Sequence, residues 1–275
     1  MYKLVAIDLD GTLLNSQEVI SEENKIALKM VADIGIKVVI CSGRVYSRAS
    51  IIAGRLGLDG PLITCNGAVV KDMKTEQILY SEYLGNEDCF RIIDLCHEKN
   101  LYFHVYVGDT MFTERIAYAS RNLWESNKNV PEEEQVDVKL VSNIKDMLGK
   151  IPTPATKFVI IDEDLDALFD ARNILSEIDS IEITSSHFDN FEVMSKGVNK
   201  GKALKFIAEN FDINREEIIA IGDNENDYSM IKFAGLGIAM GNAENSVKEI
   251  ADYITLTNDQ NGVAIALHKF ILQRT

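Results

Sequence analysis

The feature that most constrains this chain is an alternation of short apolar runs with amphipathic segments that stops once and later resumes. Leu4-Val5-Ala6-Ile7 is an apolar run ending at Asp8, and the stretch from Glu22 to Val31 then places Ile26, Ala27, Met30 and Val31 at helical spacing behind Ser21 as a cap. The unit repeats as Val38 to Cys41, a helix over Tyr46 to Leu56, and Leu62 to Cys65. Buried runs alternating with helices predict a parallel sheet with right-handed crossovers. After Asn66-Gly67 the alternation breaks, because Ala68 to Val70 and Gln77 to Tyr80 flank a polar turn like a hairpin. From about Leu84 to Asn190 the pattern predicts helices over Asn86 to Glu98, Ile116 to Trp124 and Leu165 to Ser176. It predicts strands over Tyr102 to Val107, Thr110 to Thr113, Thr156 to Ile161 and Ile181 to Thr184, with Pro131 to Gln135 as a solvated loop. From Asn199 the first pattern returns, with strands Ile218 to Ile221 and Leu236 to Ala239 between helical stretches. The expectation is an α/β core over residues 1–83 and 191–275, split by an α+β insert over 84–190 that is joined near Tyr83 and Met194. A length of 275 residues suits a core plus a second domain.

The ends of the core strands carry the chemistry. Asp8-Leu9-Asp10-Gly11-Thr12 follows the first strand directly, where a parallel sheet presents ligands at its carboxyl edge. An Asp-Gly turn at a strand end is common on its own. A second acidic edge, Gly222-Asp223-Asn224-Glu225-Asn226-Asp227, follows the apolar strand Ile218 to Ile221. If those strands are neighbours, Asp8, Asp10, Asp223 and Asp227 converge, and such crowded carboxylates require a hard cation. Oxygen-only ligation with retained water points to magnesium.

Two segments between these edges suit an anion. Ser42, in Cys41-Ser42-Gly43-Arg44, brings a hydroxyl and the Gly43 amide near a helix start. A plain capping serine is the simpler reading without its neighbours. Lys200, in Val198-Asn199-Lys200-Gly201, adds an ammonium at another helix start, with Lys196 and Lys202 as rivals. The formal net charge of −15 argues against nucleic-acid and membrane-surface partners, since both are polyanionic. A phosphate-bearing small molecule must therefore be held by local cations, metal and amides.

Taken in order, Asp8-Leu9-Asp10-Gly11-Thr12, Ser42-Gly43-Arg44, Cys65-Asn66-Gly67-Ala68, Asn199-Lys200-Gly201 and the 222–227 run resemble the haloacid dehalogenase-like hydrolase superfamily. Within it, the Cof-type phosphatases with a large α/β cap are the nearest likeness, over nearly the whole chain. The resemblance implies a Rossmann-like core, an inserted cap, a magnesium ion and hydrolysis of small phosphomonoesters, such as sugar phosphates, through an aspartyl-phosphate. It makes Asp8 the nucleophile and a metal ligand, and Asp10 the general acid/base whose backbone carbonyl also binds metal. Asp223 becomes the remaining metal ligand. Leu9, Ser42, Gly43, Lys200 and Asn226 fall at phosphate-binding positions, and Asp227 at a supporting carboxylate. Arg44 and Asn66 are candidate substrate-binding residues. A phosphomutase on the same scaffold shares the first half-reaction, and a non-catalytic magnesium- or phosphate-binding module shares the ligands; a second acid at Asp10 weighs against the latter.

The cap names no substrate. Tyr46 and Arg48 are further candidates from the core, and His104, Arg115, Tyr118 and His187 from the cap, although a surface or satisfied polar role is the ordinary expectation for each cap residue. No Gly-x-Gly-x-x-Gly follows a strand, which argues against a dinucleotide. Cys41, Cys65, Cys89 and Cys96 form no metal-like grouping. Met1 leads straight into the first strand without the basic and apolar regions of a signal peptide, so the cytoplasm is the expected compartment.

Overall fold

The computed structural model describes residues 1–274. In chain order the elements are β1 (Leu4–Ile7), α1 (Glu22–Asp33), β2 (Lys37–Ile40), α2 (Tyr46–Arg55), β3 (Pro61–Thr64), β4 (Val69–Asp72) and β5 (Ile78–Ser81). They continue with α3 (Asn86–Glu98), β6 (Tyr102–Val107), β7 (Thr110–Thr113), α4 (Tyr118–Ser126), β8 (Val138–Leu140), α5 (Ile144–Leu148), β9 (Lys157–Ile161), α6 (Leu165–Ser176), β10 (Ile181–Thr184) and β11 (Asn190–Ser195). The last group is α7 (Lys200–Asn210), β12 (Ile218–Gly222), α8 (Tyr228–Phe233), β13 (Leu236–Ala239), α9 (Asn245–Ile250), β14 (Tyr253–Ile254) and α10 (Gly262–Phe270).

Two compact units emerge. The first comprises Met1–Arg44, Ala49–Tyr80 and Asn199–Thr275, and the second Val45–Arg48 with Ser81–Val198. The first unit holds a parallel sheet in the order β14-β13-β12-β1-β2. Strands β1 and β12 are buried throughout, as runs covered on both faces must be. Helix α1 starts where the sequence places it, with the Ser21 Oγ accepting the Asn24 amide at 3.2 Å. A parallel bridge between Cys41 and Ile63 extends the line of β2 to β3, which then pairs antiparallel with β4 in a separate three-stranded sheet of order β3-β4-β5. Chain order reverses at β1, with β2 on one side and β12 on the other, and such a switch point opens a crevice at the carboxyl edge. The register pairs Ile7 with Ile221, so the segments after both strands leave the sheet at one level.

The second unit holds a six-stranded sheet in the order β10-β11-β9-β6-β7-β8. Its period-two pattern sends Phe103, Val105, Phe158, Ile160, Phe191 and Val193 into a core shared with Ile92, Ile93 and Cys96 of α3 and with Leu168, Ala171 and Leu175 of α6. The expected return to the core at residue 191 is corrected here. Strand β11 pairs with β9 and β10, and the unit runs on to Val198, because Phe191 and Val193 alternate into this core. Elements β8, α5, β14 and α10 were not expected. Among the described residues no helix is long and apolar enough to cross a membrane.

Candidate active site

The first unit gathers the acidic edges as the register requires. The Asp8 amide donates to the Ile221 carbonyl at 3.0 Å, which locks the end of β1 to the end of β12. Asp8, Asp223 and Asp227 each offer a carboxylate oxygen within 4.8 Å of the others, and all three are buried. Lys200, the first residue of α7, lies fully buried between two of them, with its Nζ 2.6 Å from Asp8 Oδ1 and 2.6 Å from Asp227 Oδ1. Neither rival lysine does this: Lys196 is exposed and lies 3.8 Å from Glu182, and Lys202 is exposed and 5.8 Å from the Tyr80 ring centroid.

The electrostatics of this cluster call for more positive charge than the chain supplies. Three carboxylates face one ammonium, which leaves two negative charges uncompensated. Burial, reinforced by Asp227 and opposed by Lys200, holds the Asp8 carboxyl well above the ordinary range. Burial and then Asp227 push Asp223 up to about 7, against the hydrogen bond from Thr12. Lys200 moves the other way: burial lowers its pKa, but Asp227 and Asp8 outweigh that and raise it. A dense, oxygen-only, doubly negative pocket fits a small divalent cation.

The donors can be sorted by what already occupies them. Asp227 is spent, since Oδ1 takes Lys200 while Oδ2 accepts the amides of Asp223 at 2.9 Å and Asn224 at 3.2 Å. Its place is that of a buttress holding Lys200 and the loop after β12. Asp223 accepts the Thr12 hydroxyl through Oδ1 at 2.7 Å, and Asp8 gives only Oδ1 to Lys200. Each keeps its second oxygen. Among the described residues no amide donates to the Asp10 carbonyl, because the turn is closed on the carbonyls of Asp8 and Leu9 by the amides of Leu13, Thr12 and Leu14.

The Asp10 side chain does not join the buried cluster. It is half exposed and forms a two-pronged pair with Arg44, whose Nε lies 2.9 Å from Oδ2 and whose Nη2 lies 2.5 Å from Oδ1. Burial lowers the Arg44 pKa, and Asp10 more than restores it. Ser42 is fully buried and its Oγ accepts the Arg44 amide at 3.0 Å. Asn226 donates from Nδ2 to Asn66 Oδ1 at 3.1 Å, and Gly43 lies against the same Asn66 oxygen. Leu9 is wholly buried, so only its backbone can face a ligand.

Two residues acquire a place that sequence reasoning did not give them. Thr12 is fully buried on Asp223, and Asn242 donates from Nδ2 to the Gly11 carbonyl at 2.8 Å. Their signal was available: Thr12 ends the first acidic run, and Asn242 follows β13 at the same edge of the sheet. The candidates outside the core motifs fare differently. Tyr46 and Arg48 fall in the short segment grouped with the second unit. His104 is buried within the six-stranded sheet, Arg115 donates to the Asn100 carbonyl at 3.2 Å, Tyr118 opens α4, and exposed His187 pairs with Asp189 at 2.6 Å.

Known proteins resemble this chain over nearly its whole length. The family model for haloacid dehalogenase-like hydrolases matches residues 5–267. A Bacillus subtilis protein named 5-amino-6-(5-phospho-D-ribitylamino)uracil phosphatase YcsE is 35% identical, over 98% of this chain and 96% of its own length. Phosphatase YwpJ of the same organism is 32% identical, over 95% and 97%. The solved structure of a haloacid dehalogenase-like hydrolase from B. subtilis superposes with a TM-score of 0.87 at 30% identity, covering 98% of this chain and 100% of that one. This chain belongs to the haloacid dehalogenase-like hydrolase family, as a phosphatase of the Cof type.

Proposed function

We propose that the protein hydrolyses small phosphomonoesters with the help of magnesium, through a phosphoryl group carried on Asp8. The observation that bears most weight is the fixed, half-free carboxylate of Asp8. Lys200 anchors one oxygen at 2.6 Å and the other stays available at the carboxyl edge of β1, where it can meet phosphorus in line. Magnesium, when bound by Asp8, Asp223 and the Asp10 carbonyl, offsets the surplus negative charge and that of the transferring group.

In the first step Asp8 forms a bond to phosphorus, the ester P–O bond breaks, and Asp10 gives its proton to the departing alkoxide. In the second, Asp10 takes a proton from water, the water oxygen bonds to phosphorus, and the bond to Asp8 breaks with release of inorganic phosphate. Asp10 is free for either task only when its fork with Arg44 opens. Lys200, the hydroxyl of Ser42, the amides of Leu9 and Gly43, and Asn226 hold the phosphoryl oxygens. Arg44 and Asn66 are assigned to the substrate side of that set. The second unit is assigned the choice of leaving group, as a cap does.

The likeness to a phosphatase named for a phosphoribityl compound supports a small phosphorylated metabolite as substrate, and hydrolysis over mutase chemistry. The net charge of −15 supports a partner other than nucleic acid. Four buried cysteines that form no disulfide fit a reducing cytoplasm. The test is a panel of phosphomonoesters with inorganic phosphate as readout. Release from several sugar phosphates is expected; no release from any ester, or transfer of label to a sugar acceptor, contradicts the reading.

A further inference from the structure

Cys65, Asn66 and Gly67 form a tight turn in which three successive residues have left-handed backbone, with φ of 49°, 57° and 99°. Only the third is glycine. A left-handed cysteine followed by a left-handed asparagine costs on the order of 1 kcal/mol or more each, so the surroundings must hold them there. They are held from three sides. The Cys65 amide donates to the Arg44 carbonyl at 2.9 Å and the Asn66 amide to the Ser42 carbonyl at 3.1 Å, which ties the turn to the loop after β2. Gly67 lies so close to the start of α7 that a Cβ there would stand 2.4 Å from the Asn199 carbonyl oxygen and 3.2 Å from the Lys200 nitrogen. The buried Asn66 side chain completes the set, since its Oδ1 accepts Asn226 Nδ2 at 3.1 Å and would lie 2.8 Å from a Cβ on Gly43.

The turn therefore touches every segment to which the proposed function gives a phosphate contact, except the run after β1. Its most constrained atom, Asn66 Oδ1, is already committed to Asn226. That oxygen is an acceptor and cannot serve phosphate oxygens, which need donors, so a direct contact from Asn66 would have to come from its Nδ2 and would show as an independent loss in the double variant below. We propose that Asn66 is a positioning residue rather than a substrate contact. Its strained backbone aims the carboxamide so that one Asn226 proton is fixed and the other is directed at the phosphoryl group, and it keeps the Gly43 amide in place. This inference rests on the phosphatase reading above, and it changes the role of Asn66 within it.

The experiment is calorimetric titration of inorganic phosphate into the magnesium-loaded protein, with thermal unfolding measured in parallel. Asn66→Gly relieves the backbone strain and removes the carboxamide, Asn66→Ala removes the carboxamide and keeps the strain, and Asn226→Ala removes the donor. Each variant is expected to weaken phosphate binding about tenfold, the usual worth of one hydrogen bond to a charged group. If Asn66 acts through Asn226, Asn66→Gly combined with Asn226→Ala loses no more than Asn226→Ala alone. Asn66→Gly should melt above Asn66→Ala, since both lose the buried carboxamide and only alanine keeps the left-handed penalty. A roughly hundredfold loss in the double variant would show an independent contact and overturn the proposal, as would an unchanged phosphate affinity in Asn66→Gly. Failure of the wild-type protein to bind phosphate at all would instead overturn the phosphatase reading beneath it.

Discussion

Neutralising two neighbouring carboxylates should move stability in opposite directions, because one carries uncompensated charge and the other a buried ion pair. Asp223 is pushed up to about 7 from an ordinary 3.8. At about 1.36 kcal/mol per unit, its charge works against the metal-free fold by about 4 kcal/mol above that value. The sign follows from proton uptake. Between roughly 4 and 7 the folded state binds more protons than the unfolded one, so stability falls through that window and the deficit is complete by pH 8. Asp223→Asn removes the charge and weakens the bond from Thr12, a loss of about 1 kcal/mol. The net gain of about 3 kcal/mol should raise the melting temperature of chelator-treated protein by roughly 6–12 °C. Asp227→Asn does the reverse. An amide cannot accept from Lys200 on one side and from the amides of Asp223 and Asn224 on the other, and breaking a buried pair costs about 3–5 kcal/mol. Thermal unfolding at pH 8 in chelator, then in excess magnesium, separates the cases. Wild type should gain stability on adding magnesium, Asp223→Asn should not, and Asp227→Asn should lie below wild type throughout. If Asp223→Asn melts as low as Asp227→Asn in chelator, the argument from excess negative charge is wrong.

Other consequences can be checked separately. Asp10→Asn should lose about 10²–10⁴ in rate on alkyl phosphates but less in the first step with p-nitrophenyl phosphate, whose leaving group needs no proton; equal losses on both would refute the acid role. Burial, and then Lys157 on β9, lowers His104 on β6 to about 3 from 6.5, so the neutral ring stabilises the fold fully above pH 6.5 and that contribution is lost as pH falls toward 3. Urea unfolding of His104→Leu should accordingly show a pH slope between 5 and 6 shallower by about 1.4 kcal/mol per unit, whereas an unchanged slope would mean that the ring takes up its proton in the folded state. Gly67→Ala places a methyl 2.4 Å from the Asn199 carbonyl oxygen at φ 99°, and should lower both melting temperature and phosphate affinity; wild-type values for both would contradict the close approach.

The core was legible because fully buried strands and amphipathic helices write different periods into the sequence, as β1, β12 and α1 show. The carboxylate edges were legible for a related reason: a residue just past a parallel strand has one place to go, so residue order alone brings Asp8 and Asp223 together. Elements lacking a period were missed. Strand β8 has three residues and α5 five, too few to display one. Helix α10, Gly-Val-Ala-Ile-Ala-Leu-His-Lys-Phe, opens on glycine and a run of five apolar residues, which periodicity does not tell from a buried strand. The return to the core was placed too early because Phe191 and Val193 alternate as any half-buried strand does, and alternation does not say which sheet a strand joins. Side-chain pairing was the other gap: neither the Arg44 fork on Asp10 nor the Asn66 bond to Asn226 leaves a mark on residue order, since both join positions far apart in the chain.

The central claim is that Asp8 carries the phosphoryl group. It is tested most directly by mixing enzyme, magnesium and p-nitrophenyl phosphate, quenching in acid within milliseconds, and locating the phosphate by peptide mass mapping. Asp10→Asn should accumulate the adduct, because it can still form the bond to phosphorus but lacks the base that activates water. The account predicts phosphate on the peptide containing Asp8, with no adduct in Asp8→Asn. Phosphate on any other residue, or turnover in Asp8→Asn without deamidation back to aspartate, would contradict it.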